Sequence, residues 1–275
     1  MAALLALLSS LTWGTSDFLG GLTSRRLPVA AVYGLSQAAG LVALAVAVTV
    51  TGGWGSDGAA WGWSVVSGLL GLVAMLAFYS ALSTGPMGIV APLVALSTAV
   101  PVVVGIVRGD SPAIWQVFGI VVAVAGIVLA SGPEVTSARS SRPLMLAGVA
   151  ALGFGAMYVT MAEGSAHDPL LTMTGMRLTV VVILGAVAVG RRSIGGAVRR
   201  DAIPLVAIGV LDAGANLSYG IATTLGLLST TAVLASLYPV VTAVLAAVFL
   251  HERLRRVQYA GVAAVVAGVV LISIG

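Results

Sequence analysis

The chain has 275 residues, 59% of them hydrophobic and only 8% charged, with a formal net charge of +4 from 13 basic and 9 acidic side chains. A soluble domain carries about a quarter charged residues, so a chain this apolar cannot clothe a surface in water and takes lipid as its solvent. Every basic residue is Arg and nearly all fall in short loops, a pattern of membrane topology rather than nucleic-acid binding, and the lack of Cys removes disulfides, thiolate ligands and Cys nucleophiles.

Apolar runs near the ~20 residues needed to cross a ~30 Å hydrocarbon layer recur from end to end. They predict helical spans at 2–22, 28–51, 60–83, 87–107, 112–131, 143–163, 169–190, 202–224, 229–250 and 256–274. Helices are expected over strands because the runs are long and do not alternate. The first run has no basic residues ahead of it and is broken by Asp17, so it reads as a retained span rather than a signal peptide. Pro28, Pro112, Pro143 and Pro169 stand near span starts, where the missing N–H costs little. Pro92, Pro101, Pro204 and Pro239 lie within or near spans, and kinks are expected in the fourth and ninth.

The two halves repeat each other at a nearly constant offset. Trp13-Gly14 answers Phe154-Gly155, Pro28 and Gly34 answer Pro169 and Gly175, and Tyr79 answers Tyr219. Asp110, Gln116, Gly119 and Gly126 answer Glu252, Gln258, Gly261 and Gly268 with identical internal spacing. A repeat with an odd number of crossings enters the membrane from opposite sides in its two copies. The expected fold is therefore an all-α membrane protein of ten transmembrane helices, built as two inverted five-helix repeats at 1–131 and 143–275 with a linker at 132–142. That arrangement places a cavity between the halves and gives it two near-equivalent ways to open.

Loops after odd-numbered spans hold Arg25, Arg26, Arg139, Arg142, Arg191, Arg192, Arg199, Arg200, Arg253, Arg255 and Arg256; those after even-numbered spans hold only Arg108, beside Asp57, Asp110, Glu163 and Asp168. The positive-inside rule makes the odd loops cytoplasmic and puts both termini outside. Three ionisable residues fall inside spans: Asp17, Arg177 and Asp212. Such groups cost several kcal/mol unless they face a cavity or a partner. At 1.5 Å per residue, Asp212 and Arg177 each lie about 12 Å into antiparallel spans, near the bilayer centre and within reach of one another. Asp212, Asn216, Tyr219 and Thr223 make one polar stripe, and Trp13 and Asp17 share a face of the first span.

These faces, with Arg177, Gln37 and Tyr238, are expected to line the cavity. Arg177 and Asp212 fit either a structural ion pair or direct handling of solute and protons. In the second case Arg177 would take a carboxylate and Asp212 an ammonium. Asp17 fits a cavity role or pairing with Arg25 or Arg26. The aromatic residues fit the cavity wall or packing.

The Trp13-Gly14 pair, the Leu237-Tyr238-Pro239 run, and His251-Glu252-Arg253-Leu254 followed by Gln258 and Gly261 together resemble the EamA branch of the drug/metabolite transporter superfamily. The likeness covers essentially the whole chain. It implies a multi-pass protein of the bacterial plasma membrane, a secondary transporter that moves a small organic solute, amino-acid-like or drug-like, most often outward. It also implies cytoplasmic termini, against the Arg count. The expected partners are a small solute, the lipid bilayer and protons, with no nucleic acid, cofactor or metal. A channel, a scaffold and an intramembrane enzyme are the alternatives. Against the last, the chain has no Lys for a Walker A loop and no His-Glu-x-x-His, and His167 and His251 sit at span ends.

Overall fold

The computed structural model describes residues 1–24, 26–55, 57–84, 94, 96–130, 142–193, 195–249 and 256–274. The His251–Leu254 run, most of the 132–142 linker, Pro92, and Arg25, Arg139, Arg253 and Arg255 lie outside them, as do the side chains of Tyr79, Pro143, Pro239 and Gln258.

The described residues form helices and connections. They are α1 (Ala2–Ser24), α2 (Val29–Thr51), α3 (Gly58–Thr84), α4 (Ala99–Val107), α5 (Ile114–Ala130), α6 (Arg142–His167), α7 (Pro169–Arg191), α8 (Ala202–Leu225), α9 (Leu228–Ala235), α10 (Tyr238–Phe249) and α11 (Arg256–Ile274). Six of them, α1 to α3 and α6 to α8, are long and apolar enough to cross a membrane. Shorter apolar helices cover Leu96–Val107, Ile114–Gly126, Leu228–Thr242 and Tyr259–Gly268. The expected break in the ninth run is present: α9 and α10 part at Ser236-Leu237, just ahead of Pro239, whose missing N–H cannot continue the ladder. In the fourth run a 3-10 turn at Leu96–Thr98 leads into α4, which carries Pro101.

Helix ends follow local chemistry. Asp168 caps α7 by accepting the Leu171 N–H at 2.9 Å, with Pro169 at the first helical position. Asp57 caps α3 by accepting the N–H groups of Ala59 and Ala60 at 2.8 and 3.2 Å. Gly52 ends α2 in the left-handed conformation at φ 67°.

The helices are turned inside out relative to those of a soluble protein. Leu4, Leu8 and Leu11 of α1 and Val42, Val46 and Val50 of α2 are exposed, whereas Ser9, Ser10, Ser16, Ser36 and Gln37 are buried. In hydrocarbon the apolar stripe faces the solvent and small polar residues let helices approach. Most hydroxyls donate to a carbonyl three or four residues back, as Thr12 does to Leu8 at 2.8 Å and Thr174 to Leu170 at 2.7 Å.

The extensive interfaces each join a helix of the first half to one of the second. The α1 helix lies along α8 and against α9 and α10; α3 lies along α6 and α7; α2 packs on α7 and α8; α4 packs on α6 and α9; α5 pairs with α11. Exchanging the halves maps this contact pattern onto itself. The correspondence extends to single atoms. A Cβ at Gly14 would stand 2.7 Å from the Tyr238 carbonyl oxygen and 2.5 Å from Val241 Cβ, and one at Gly155 would stand 2.6 Å from both the Ser97 oxygen and Val100 Cβ. The sequence offset is the same for each pair. Ser97 thus occupies the place of Tyr238. The glycine ladder of α5 and α11 has a matching purpose, since a Cβ at Gly268 would press on the Gly119 oxygen at 2.8 Å.

Candidate functional site

A narrow cleft of about 50 Å³ runs from Ser24 and Val29, at the α1–α2 connection, down to Asp212. Its walls come from α1, α2, α3 and α8, with Ser16, Asp17, Ser36 and Gln37 facing Met75, Ile208 and Asp212. The carboxylate of Asp17 is exposed to this space, although it sits in the middle of a helix. It does not pair with Arg26, which instead reaches Asp201 across the α7–α8 connection at 3.0 Å. Arg25 is outside the described residues.

Asp212, on the third turn of α8, is held from three directions. Its Oδ2 accepts from Arg177 Nη2 at 2.6 Å and from Gln37 Nε2 at 3.0 Å; its Oδ1 accepts from Asn216 Nδ2 at 3.1 Å. Arg177 is completely enclosed, while the Asp212 side chain keeps 23% of its surface, on the cleft. Arg177 Nη1 also reaches the Met173 carbonyl at 3.5 Å. Gly40 makes room for this guanidinium: a Cβ there would stand 3.0 Å from Arg177 Nε and 2.7 Å from the Gly209 oxygen. An ion pair with one wholly buried member is costly to break, because the survivor is left without compensation.

Deeper along α1, one turn beyond Asp17, an aromatic cluster closes the interior. Trp13 lies 5.6 Å from Tyr158, 5.9 Å from Tyr219 and 6.0 Å from Tyr238 between ring centroids, and Tyr158 lies 5.5 Å from Tyr219. The Tyr219 hydroxyl donates to the Tyr158 carbonyl at 3.2 Å. Contacts of this geometry add attraction beyond the area they bury.

The expected site residues thus separate into three groups. Asp17, Gln37 and Asp212 are on the cleft wall; Trp13, Tyr219 and Tyr238 form the aromatic cluster beneath it; Asn216 and Arg177 support Asp212 from behind. Of the two roles expected for Arg177, the ion pair is the geometry seen here. Depth along a span gives height but not rotation, and rotation turns Arg177 away from the cleft into the α2–α7–α8 packing. Thr223 of the polar stripe spends its hydroxyl on the Gly220 carbonyl at 2.7 Å. Tyr158 was not singled out from sequence, yet the offset that takes Trp13 to Phe154 takes Asp17 to Tyr158.

At the other end of the bundle, polar contacts bridge the halves. Arg108 pairs with Glu163, His167 Nδ1 stands 3.4 Å from Asp57 Oδ2, and Asp110 Oδ2 accepts from both the backbone N–H and the hydroxyl of Ser229 at 2.9 Å. The N–H groups of Ala60 and Ala59, then His167, hold the Asp57 carboxyl below the usual carboxylate range. Among the described residues no group of three or more His, Asp or Glu side chains is placed to hold a metal ion.

A multi-pass helical membrane protein whose halves interleave around a polar cleft is the class that this fold and site define. The model of the EamA-like transporter family matches residues 1–132 and again 141–274, and the chain belongs to that family. A search of curated proteins gives no match. Among solved structures, a crystal structure described only as that of a protein matches with a TM-score of 0.82 at 18% identity, over 99% of this chain and 96% of its own. That likeness is one of fold.

Proposed function

We propose that the chain is a secondary transporter that carries a small organic solute across the membrane by alternating access. In this reading the six long helices and the four shorter apolar ones make ten spans, arranged as inverted five-helix repeats at 1–131 and 143–275 about a linker at 132–142. The observation that carries it is a cleft that runs from the α1–α2 connection to the Asp17 and Asp212 carboxyl groups, with an aromatic cluster packed deeper along α1 and inter-half polar contacts at the other end of the described bundle. A channel needs a continuous path, and the aromatic cluster interrupts it.

The family supports transport, and its expected direction is export. The cleft mouth lies at the Arg26 end. With the Arg-rich loops cytoplasmic, the open end faces inward, the side from which an exporter loads. A reporter fused to the C-terminus tests that orientation and is expected to read outside. Asp17 is the group assigned to coupling. While the cleft is open, water solvates it. On occlusion its charge must be met by a proton or by the solute, since an unpaired carboxylate in a dry interior is prohibitive.

The test is counterflow in proteoliposomes. Solute trapped inside should accelerate entry of labelled solute, and an imposed pH gradient should drive accumulation. A solute that crosses without exchange acceleration would identify a channel, and no movement across a broad panel would leave a scaffold.

A further inference from the structure

We propose that the cleft selects solutes carrying a positive charge, amines or related organic cations, and discriminates against carboxylates; this rests on the carrier reading above. Three ionisable side chains define the charge at its deep end. Arg177 is wholly enclosed and directs its guanidinium at Asp212 Oδ2 and the Met173 carbonyl, so it presents nothing to an incoming anion. Its charge is answered by Asp212. What remains is Asp17, open to the cleft, whose charged neighbour is a second carboxylate, Asp212.

Arg26, one end of the helix away, is committed to Asp201. Among the described residues, an anion placed in the deep cleft would therefore face two carboxyl groups and no cation free to receive it. A zwitterion would satisfy Asp17 with its ammonium and leave its carboxylate without a partner. A cation meets both conditions.

The neutral wall agrees. Ser16 and Ser36 donate their hydroxyl protons to the Ile208 and Tyr33 carbonyls at 3.1 and 3.0 Å and Gln37 donates from Nε2 to Asp212, which leaves these groups oxygen lone pairs that suit N–H donors. One turn below Asp17 on the same helix, Trp13 opens the aromatic cluster with Tyr158 and Tyr238 at 5.6 and 6.0 Å. Electron-rich rings favour a cation with an apolar body over an anion.

Two solute sets matched in shape and differing in charge decide the matter: phenethylamine, phenylalanine and 3-phenylpropionate, and butylamine, 4-aminobutyrate and butyrate. Binding to purified protein in detergent is measured by calorimetry, and exchange by counterflow in proteoliposomes. The amine of at least one set should bind at least tenfold more tightly than its carboxylate and its zwitterion. Asp17→Asn should abolish that preference and Asp17→Glu should retain it, with both variants checked by their unliganded unfolding midpoint. A carboxylate or zwitterion that binds and exchanges best overturns the charge assignment and leaves the carrier standing. If no amine binds while an uncharged solute exchanges, the charge assignment is again overturned. If no solute of any charge exchanges in a wider panel, the carrier reading falls and this inference with it.

Discussion

The Arg177–Asp212 pair is the point at which stability and site geometry are most tightly joined, and replacing Arg177 by Met tests how. At ~4 Å between charge centres and an effective dielectric near 20, the attraction is about 4 kcal/mol, and much of it is offset by the cost of enclosing the guanidinium. The single substitution removes the attraction and leaves Asp212 charged. Breaking a buried pair in this way costs about 3–5 kcal/mol. Asp212 keeps 23% of its side-chain surface on the cleft and retains Gln37 and Asn216 as donors, so the lower end, about 3 kcal/mol, is expected. Arg177→Met with Asp212→Leu removes the stranded charge along with its partner, and should recover at least half of the loss. Unfolding titrations in mixed micelles, on wild type, both single variants and the double, give the coupling energy. An Arg177→Met variant as stable as wild type, or a double variant whose loss is the plain sum of the two singles, would refute the account of a buried pair.

Three further outcomes follow from other contacts. Gly14→Ala should cost about 1–3 kcal/mol by overpacking, since its Cβ meets Val241 and the Tyr238 oxygen, while Gly148→Ala, with open space around it, should be neutral in the same titration. Arg108→Glu should change stability by less than about 1 kcal/mol, as expected of a half-exposed pair, yet alter exchange several-fold by releasing the closed end; adding Glu163→Arg should restore it. Asp57 has a folded-state pKa below its unfolded value, so its cap contributes fully above the ordinary carboxylate range and is lost only as pH falls through the lowered value. The difference in thermal midpoint between wild type and Asp57→Asn should accordingly be constant from neutral pH to about 5 and shrink below about 4.

Much of the fold was legible because lipid imposes a length on apolar segments. The spans expected at 2–22, 28–51 and 169–190 correspond to Ala2–Ser24, Val29–Thr51 and Pro169–Arg191, whose ends carry Pro, Gly and Asp signals. The ninth expected span was harder, since hydropathy runs straight through Ser236-Leu237 while the backbone does not. Of the site, Asp17, Arg177 and Asp212 announced themselves by charge, because ionisable groups in hydrocarbon need a reason to be there. Which of them faces the cleft was not legible, since that depends on rotation about α7 and α8, fixed by packing at Gly40 and Gly209. Tyr158 was invisible for a different reason: an aromatic residue in an apolar helix looks like packing until Trp13 and Tyr219 are seen against it.

The proposed duplication also accounts for why the described cleft has no like-lined counterpart at the equivalent positions of the second half. The offset relating Gly14 to Gly155 carries Ser16, Asp17, Gly20 and Ser24 of the cleft onto Met157, Tyr158, Met161 and Ser165. The first set is small or polar and lines the cleft. In the second set Met157, Tyr158 and Met161 are buried, with Met161 fully enclosed. The Met157 sulfur lies where a Cβ on Gly71 would stand, 2.8 Å away, and Gly71 is the position that the same offset relates to Asp212. The counterpart of the cleft is thus occupied by two thioethers and a phenol. Met side chains are flexible and repack at low cost, which suits a plug that must yield when the other end closes. In the carrier proposed above, charge confined to one half-site and volume to the other would make the two ends differ in stability, with the Asp17 side as the resting opening.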